Sequence, residues 1–323
     1  MMAVVAALVP PRLRRPLREK AFAARALATG GPSTLAAVVQ PWRPHLAASA
    51  LGGAAMLALR PRTRRIAAAL AATGLAAGAP VLRRALRGPA THPGPGDVTV
   101  LTANVLHGRA DTGALAALVA REGPEFVVLP EAGADFRDKL MPLLAGLGYR
   151  SWVASGGGTP DGYDVTLLVA ERAGDVRVRP ATGMRLPHLE VTGGILGERT
   201  LHAVHTTAPM SRRSTARWHE ELALIARWCA GPVAPLVAGD LNATFDHPPL
   251  HAALGRCRSA AAGTGDTLVG TFPARLGRLG IQIDHVLVPA GAVTTRFDVL
   301  DLAGSDHRAV LARVRLPAAT RDH

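Results

Sequence analysis

Ten residues, 88–97 (GPATHPGPGD), hold three prolines and three glycines and no apolar period. No helix or strand reads through such a run, so it parts the chain into segments that fold by different rules. Downstream, short apolar runs alternate with stretches of helical period. Strands are expected at Val98–Ala103, Phe126–Pro130, Val165–Ala170, Leu201–Val204, Leu236–Ala238, Ile281–Val288 and Ala309–Val314. Helices are expected at Thr112–Arg121, Ala134–Leu147, Arg212–Cys229 and Pro249–Leu254, the first with Asp111 as its N-cap. Strands interleaved with helices give α/β (α+β) layering around one core. Three parts follow: 1–87, a linker at 88–96, and a domain at 97–323.

Charge is distributed as unevenly as texture. The formal net charge is +13, and residues 1–96 carry all of it, with fourteen basic residues against the single acid Glu19. The remaining residues are net neutral, so they lack the overall field that steers a protein onto long nucleic acids. Aromatic residues are 4% of the chain, too few for a base-stacking surface. Cys229 and Cys257 are the only cysteines, which excludes a disulfide scaffold and a four-cysteine zinc site and leaves their pairing open.

The basic N-terminal part contains two uncharged Ala/Gly/Leu runs, 46–59 and 66–82, around the Arg-rich turn Arg60–Arg65. Each is short against the roughly 20 apolar residues of a bilayer span. Two such runs around an arginine turn nevertheless read as a helical membrane hairpin with its turn cytoplasmic, which puts the following domain outside the cytoplasm. The alternatives are a surface-lying helix pair, or a basic arm on anionic lipid or nucleic acid. The opening Met1–Val9 precedes the cluster Arg12–Arg18, the reverse of a secretory signal's order.

In the neutral domain, apolar runs stop at unusual polar residues: Asn104, Glu131, His205, Asp240 with Asn242, Asp284, and the Asp306-His307 pair before the last strand. Side chains at one end of several strands converge on one mouth. Carboxylates, amides and imidazoles together suit a divalent cation and a phosphate. Gly156-Gly157-Gly158 lacks the Lys-Ser/Thr of a nucleotide-binding loop and reads as a plain loop.

The ordered series of Asn104, Leu129-Pro130-Glu131, His205, Gly239-Asp240-Leu241-Asn242, Asp284 and Ser305-Asp306-His307 resembles the endonuclease/exonuclease/phosphatase superfamily across 97–323. That superfamily includes DNase I-like nucleases, abasic-site endonucleases, sphingomyelinases and inositol-polyphosphate phosphatases. The leader resembles the hydrophobic leaders of membrane-attached bacterial members. The resemblance implies a four-layered α-β-β-α sandwich, DNase I-like, preceded by a short helical N-terminal region.

The resemblance also implies roles. Glu131 is the expected principal metal ligand, with Asn104 and Asp306 beside it, for Mg²⁺ with Mn²⁺ as a substitute. Asp240 is expected to orient or deprotonate the attacking water. On an extended segment Asn242, two residues on, shares its face and reaches the phosphate. His205 would donate to a phosphate oxygen, and Asp284 would orient His307. Whether Asp240 or His307 takes the proton stays open. His107 is a mouth or loop residue, His285 a structural one, and Arg308 either a phosphate contact or a surface residue.

The expected activity is metal-dependent hydrolysis of a phosphoester (lipid, sugar-phosphate or nucleic acid) by a monomer held at anionic membrane lipid. Only 74 positions separate Glu131 from His205, leaving little room for long loops that grip a duplex. The alternatives are an endonuclease on extracellular DNA and a non-catalytic scaffold or binding protein that keeps the fold.

Overall fold

A computed structural model describes residues 32–88, 91–156 and 162–317. Met1–Val9, Arg12–Arg18 and Gly157-Gly158 lie outside the described residues. The strands are β1 (Val98–Thr102), β2 (Phe126–Pro130), β3 (Tyr149–Ala154), β4 (Val165–Ala170), β5 (Val176–Ala181) and β6 (His188–Gly193), followed by β7 (Thr200–His205), β8 (Leu236–Asp240), β9 (Cys257–Ser259), β10 (Asp284–Pro289), β11 (Val293–Leu300) and β12 (Ala309–Arg315). They form two six-stranded sheets, ordered β11-β12-β1-β2-β4-β3 and β5-β6-β7-β8-β10-β9. Both are mixed. β1 pairs with β2, and β7 with β8, in parallel, while the other pairings are antiparallel.

The helices are α1 (Pro32–Val39), α2 (Arg43–Ala58), α3 (Arg64–Ala85), α4 (Thr112–Glu122), α5 (Ala134–Leu140), α6 (Arg212–Ala230) and α7 (Pro248–Ala253). α4 and α5 cover the outer face of the first sheet, where Leu115, Val119, Phe136 and Leu140 meet Leu101, Val127, Leu129 and Leu311. α6 and α7 cover the second through Trp218, Leu222, Ile225 and Leu250 against Val204, Val237 and Leu287. Between the sheets lie Val100, Phe126, Val128, Leu167, Val191, Leu201, Ala238, Val286 and Val310. The result is the four-layered α-β-β-α sandwich.

Because a strand alternates faces, each central strand buries both sides and appears in sequence as an unbroken apolar run. Five strands lack that signature and were not expected: β3, β5, β6, β9 and β11. β5 (VRVRPA) alternates buried Val176 and half-buried Val178 with exposed Arg177 and Arg179 at a sheet edge. The helix expected over 134–147 stops at Leu140 and tightens into a 3₁₀ turn at Met141–Leu144, where Pro142 has no N–H to donate.

The helices of the hairpin are longer than the runs 46–59 and 66–82, at Arg43–Ala58 and Arg64–Ala85. They pack through small residues: a Cβ built on Gly74 would stand 2.9 Å from Leu51 and 3.2 Å from the Ala47 carbonyl. Pro61–Ala85 is the one candidate helix among the described residues that is long and apolar enough to cross a membrane. The Pro/Gly run is no free tether where it is described. Gly88 N donates to Gly263 O at 2.7 Å and Thr91 Oγ1 to Thr294 O at 2.6 Å. The leader docks as well: Arg84 grips both oxygens of Asp246 at 2.8 Å, and His247 Nε2 meets Ala37 O at 2.8 Å.

Candidate active site

The polar residues gather at one end of the space between the sheets. On β7, Leu201 and Ala203 point into the inter-sheet core, and His205 follows them by period two. Asp240 follows Leu236 and Ala238 in the same way, while Asp284 precedes Val286 and Val288. Asp240 and Asp284 are register partners across β8 and β10.

Glu131 breaks that parity. Two and four residues before it, Leu129 and Val127 face the helix layer, so an extended Glu131 would face outward too. Its φ of +63° turns the backbone and brings the carboxylate back. Such a conformation is rare outside glycine and is held here by the surroundings.

Asn104 joins the sheets. Its Nδ2 donates to Glu131 Oε1 at 3.0 Å and to Asp240 Oδ2 at 3.1 Å, while its Oδ1 accepts from Leu106 N at 2.9 Å. His205 Nε2 lies 3.9 Å from Glu131 Oε1 and 3.8 Å from Asp240 Oδ2. His307 Nε2 is 3.9 Å from the same Asp240 oxygen, and its Nδ1 is 2.8 Å from Asp284 Oδ2. Asn104, Glu131, His205, Asp240, Asp284 and His307 thus form one cluster.

Asn242 differs from expectation. The strand ends at Asp240, and Asn242 sits at φ +46°, so the two do not share the face of an extended segment. Its N–H donates to Asp240 Oδ1 at 2.8 Å, and its Nδ2 donates to Thr206 O at 2.9 Å, tying the loop after β7 to the site. Asp306 acts on the cluster through its charge, felt at His307, and its carbonyl accepts from Ala274 N at 2.6 Å.

Arg308 is not a surface residue. It is buried and donates to Asp301, Gly270 and Val299. His285 lies on the opposite face and meets Ala243 O at 2.8 Å. Cys229 and Cys257 are disulfide-bonded, linking α6 to β9.

Three residues gain significance only in three dimensions. Ser305 Oγ donates to Asn104 O at 2.7 Å and accepts from His307 N at 3.0 Å. Thr271 Oγ1 accepts from Asp284 N at 3.2 Å. His107 donates its N–H to Glu131 Oε2 at 2.8 Å, with its ring Nδ1 3.4 Å from that oxygen. Ser305 lies beside Asp306-His307 in sequence, but its backbone partner is about two hundred positions away.

Burial would raise the Glu131 pKa, but His205, His107, the Asn104 hydrogen bond and His307 bring it below the usual range. Asp240 behaves oppositely. Burial, then the Asp284 charge, push it up to about 6 against the pull of His307 and His205. Burial opposes a charged His307, yet the Asp284 charge and hydrogen bond, then Asp240 and Asp306, push it up to about 10. The raised pKa favours the protonated imidazole, with Nδ1 on Asp284 and Nε2 turned to the site.

The donor set fits a hard divalent cation. Asp240 and Asp284 offer carboxylate atoms within 4.8 Å of one another, and Asp284 Oδ1 is buried without a hydrogen-bond partner among the described residues. Glu131 and Asp240 meet on one amide, a carboxylate pair of the kind that hard cations accept alongside water.

Two layered sheets with a carboxylate–imidazole mouth define the α-β-β-α class of phosphoester-cleaving folds. The chain belongs to the Endonuclease/Exonuclease/phosphatase family, whose sequence pattern it matches over residues 101–307. Members of that family hydrolyse phosphoester bonds, and their fold generally uses a divalent metal.

Among solved structures it is similar to an endonuclease/exonuclease/phosphatase from Beutenbergia cavernae DSM 12333, with 21% identity, coverage of 69% of this chain and 72% of that one, and a TM-score of 0.54. It is also similar to a mannosyl-6-phosphatase of Bacteroides thetaiotaomicron VPI-5482, with 14% identity, coverage of 68% and 100%, and a TM-score of 0.51. A third likeness is D. rerio TDP2 complexed with single strand DNA product, with 13% identity, coverage of 68% and 99%, and a TM-score of 0.52. At these identities the likeness is one of fold. No curated protein sequence matches the chain.

Proposed function

We propose that this protein is a Mg²⁺-dependent phosphodiesterase or phosphatase held at a membrane by α2 and α3, with its catalytic domain outside the cytoplasm. The observation that carries the hydrolytic reading is the convergence on Asp240 Oδ2, reached by Asn104 Nδ2 at 3.1 Å, His205 Nε2 at 3.8 Å and His307 Nε2 at 3.9 Å. Glu131, Asn104 and Asp306 are the residues proposed to hold the cation, with Asp240 beside them. When bound, Mg²⁺ would polarise a phosphoryl oxygen and offset its growing charge.

The two raised pKa values support a division of roles between Asp240 and His307. Asp240, at about 6, is ionised at neutral pH yet basic enough to take a proton from an attacking water. His307, pushed up to about 10 against burial by the Asp284 charge and hydrogen bond, favours its protonated form, which supports a donor role for it. It donates from Nε2 to a phosphoryl oxygen, while Asp284 fixes its ring. His205 supplies a second donor from the opposite sheet, and Asn242 holds the loop that carries Thr206. Donors fixed before the reaction stabilise the charge that develops in the transition state at little reorganisation cost.

Three features support the membrane reading. The α3 helix, 22 residues long, extends about 33 Å, close to a bilayer core. Leu46, Met56, Leu59, Ile66, Leu75 and Leu82 are exposed on the hairpin. The disulfide accords with an oxidising compartment.

The deciding experiment assays the full chain on bis-p-nitrophenyl phosphate, phospholipids, sugar phosphates and plasmid DNA, with Mg²⁺ or with EDTA. Hydrolysis that needs Mg²⁺ and is lost in Glu131→Gln is expected. No turnover of any substrate would overturn the reading. Plasmid nicking that falls steeply with salt would favour an endonuclease instead. Recovery in the soluble fraction after cell lysis would remove the membrane tether.

A further inference from the structure

A second cluster of ligand-type side chains lies on the opposite face of the second sheet from the site. On β6, Leu189 and Val191 enter the inter-sheet core, so His188 and Glu190 point to the helix layer. His202 on β7 stands directly across from Glu190 in the register and shares that face. We propose that His188, Glu190 and His202 form a binding site for a divalent transition-metal ion of the Zn²⁺ type, separate from the hydrolytic centre.

The two imidazoles carry the argument. His188 is fully buried, and neither of its ring nitrogens has a hydrogen-bond partner among the described residues. His202 is 5% exposed, and its Nδ1 is equally without a partner among them. Buried polar atoms are normally satisfied, so three unmet nitrogens on two imidazoles beside one carboxylate call for a missing partner. His202 Nδ1 lies 3.6 Å from Glu190 Oε1, and one ligand atom from each of the three residues falls within 4.8 Å of the others. Neighbouring donor atoms of a tetrahedral Zn²⁺ shell stand about 3.3 Å apart, so the side chains would draw together to close on an ion.

The surroundings hold the ligands in place. His202 stacks on Trp228 with centroids 3.8 Å apart and planes 3° from parallel, which fixes its ring. His188 tilts against the same indole at 5.5 Å. Arg179 takes Glu190 Oε2 at 2.6 Å and leaves Oε1 turned to His202, in the manner of an outer residue that orients a ligating carboxylate. Burial also keeps both imidazoles below their usual pKa, hence neutral, each with a lone pair. Two imidazoles and one carboxylate suit Zn²⁺ or Co²⁺, whereas Mg²⁺ takes oxygen donors. Glu190, with its side chain 15% exposed, is the way in, and a solvent water completes the shell.

The test titrates EDTA-treated full-length protein with Co²⁺ under saturating Mg²⁺, reading visible d–d absorption, and in parallel measures the rise in Tm with Zn²⁺. One equivalent of Co²⁺ with low-symmetry bands is expected. Its affinity should fall in His188→Gln and His202→Gln by more than the about 10–100-fold lost with an outer-shell partner, and should be unchanged in Glu131→Gln. No absorption and no Tm rise in the wild type would overturn the proposal. So would bands that survive both histidine variants but vanish in Glu131→Gln. If the histidine variants fail to fold, anomalous scattering from Zn²⁺-soaked wild-type crystals decides: a peak between His188 and His202 supports the site, and its absence there refutes it.

Discussion

His307 and Asp284 form a buried pair in which Nδ1 lies 2.8 Å from Oδ2, and the Asp284 N–H donates to Thr271 Oγ1 at 3.2 Å. The carboxylate favours the protonated ring and turns its Nε2 toward Asp240, 3.9 Å away. Removing that charge while keeping the shape isolates the effect.

Asp284→Asn should lower kcat/KM by at least about 100-fold, the lower bound for a positioned proton donor. The wild-type alkaline limb should lie near His307's value of about 10 and move down in the variant, toward the ordinary histidine range. Stability follows the same sign. A folded pKa raised above 6.5 contributes stability that is complete below 6.5 and is lost as pH rises through about 10. Urea unfolding across that window should show the wild type losing its advantage over the variant. A pH–rate profile with unmoved limbs would refute the assignment.

Asp240 is a buried charge that the fold resists. Its folded pKa of about 6 exceeds the ordinary 3.8, so its contribution is complete below 3.8 and lost as pH rises through about 6. The difference corresponds to about 3 kcal/mol against stability at neutral pH. Asp240→Asn gives up one hydrogen bond from Asn104, worth about 1 kcal/mol, so shedding the charge wins. In EDTA the variant should melt higher than the wild type at neutral pH, lose that gain in acid, and hydrolyse nothing. Calorimetry at the two pH values checks it, and a lower melting temperature at neutral pH would refute it.

Gly239 explains why a glycine precedes that aspartate. Its φ is +145°, and a Cβ there would stand 1.8 Å from the Val204 carbonyl oxygen of the neighbouring strand. The β7–β8 pairing would have to open to admit a methyl group. Gly239→Ala should cost more than the about 0.5–3 kcal/mol of ordinary substitutions and should reduce the yield of folded protein. A variant with wild-type Tm would show that the strand relaxes around it.

What the sequence made legible follows from burial. Strands covered on both faces, such as β2 and β10, read as apolar runs, and the polar residues at their ends marked the mouth. Half-exposed strands were invisible: β6 (HLEVTG) shows a polar residue at alternate positions because one of its faces carries His188 and Glu190. The parts played by Asn242 and Glu131 depend on positive φ angles, which asparagine tolerates more readily than most residues but which nothing about a glutamate announces. Ser305 and Thr271 act by hydrogen-bonding backbone far away in sequence, so only the packed fold assigns them.

The Cys229–Cys257 bond closes a loop of 28 positions that contains β8 with Asp240, and the loop after it. Closing such a loop in the unfolded chain removes conformational freedom worth about 3–4 kcal/mol. Neither sulfur touches the catalytic cluster, since both lie in the outer core between α6 and the second sheet. The double variant Cys229→Ala, Cys257→Ala should therefore fall in Tm by about 2–4 °C for each kcal/mol lost, while kcat at moderate temperature stays within about twofold of wild type. Reductant should lower the wild-type Tm toward that of the variant and leave the variant unmoved. Equal melting of the oxidised wild type and the double variant would show that the bond adds no stability. A collapse of kcat in a variant that is still folded would show that the disulfide positions Asp240 instead of merely bracing the sheet that carries it.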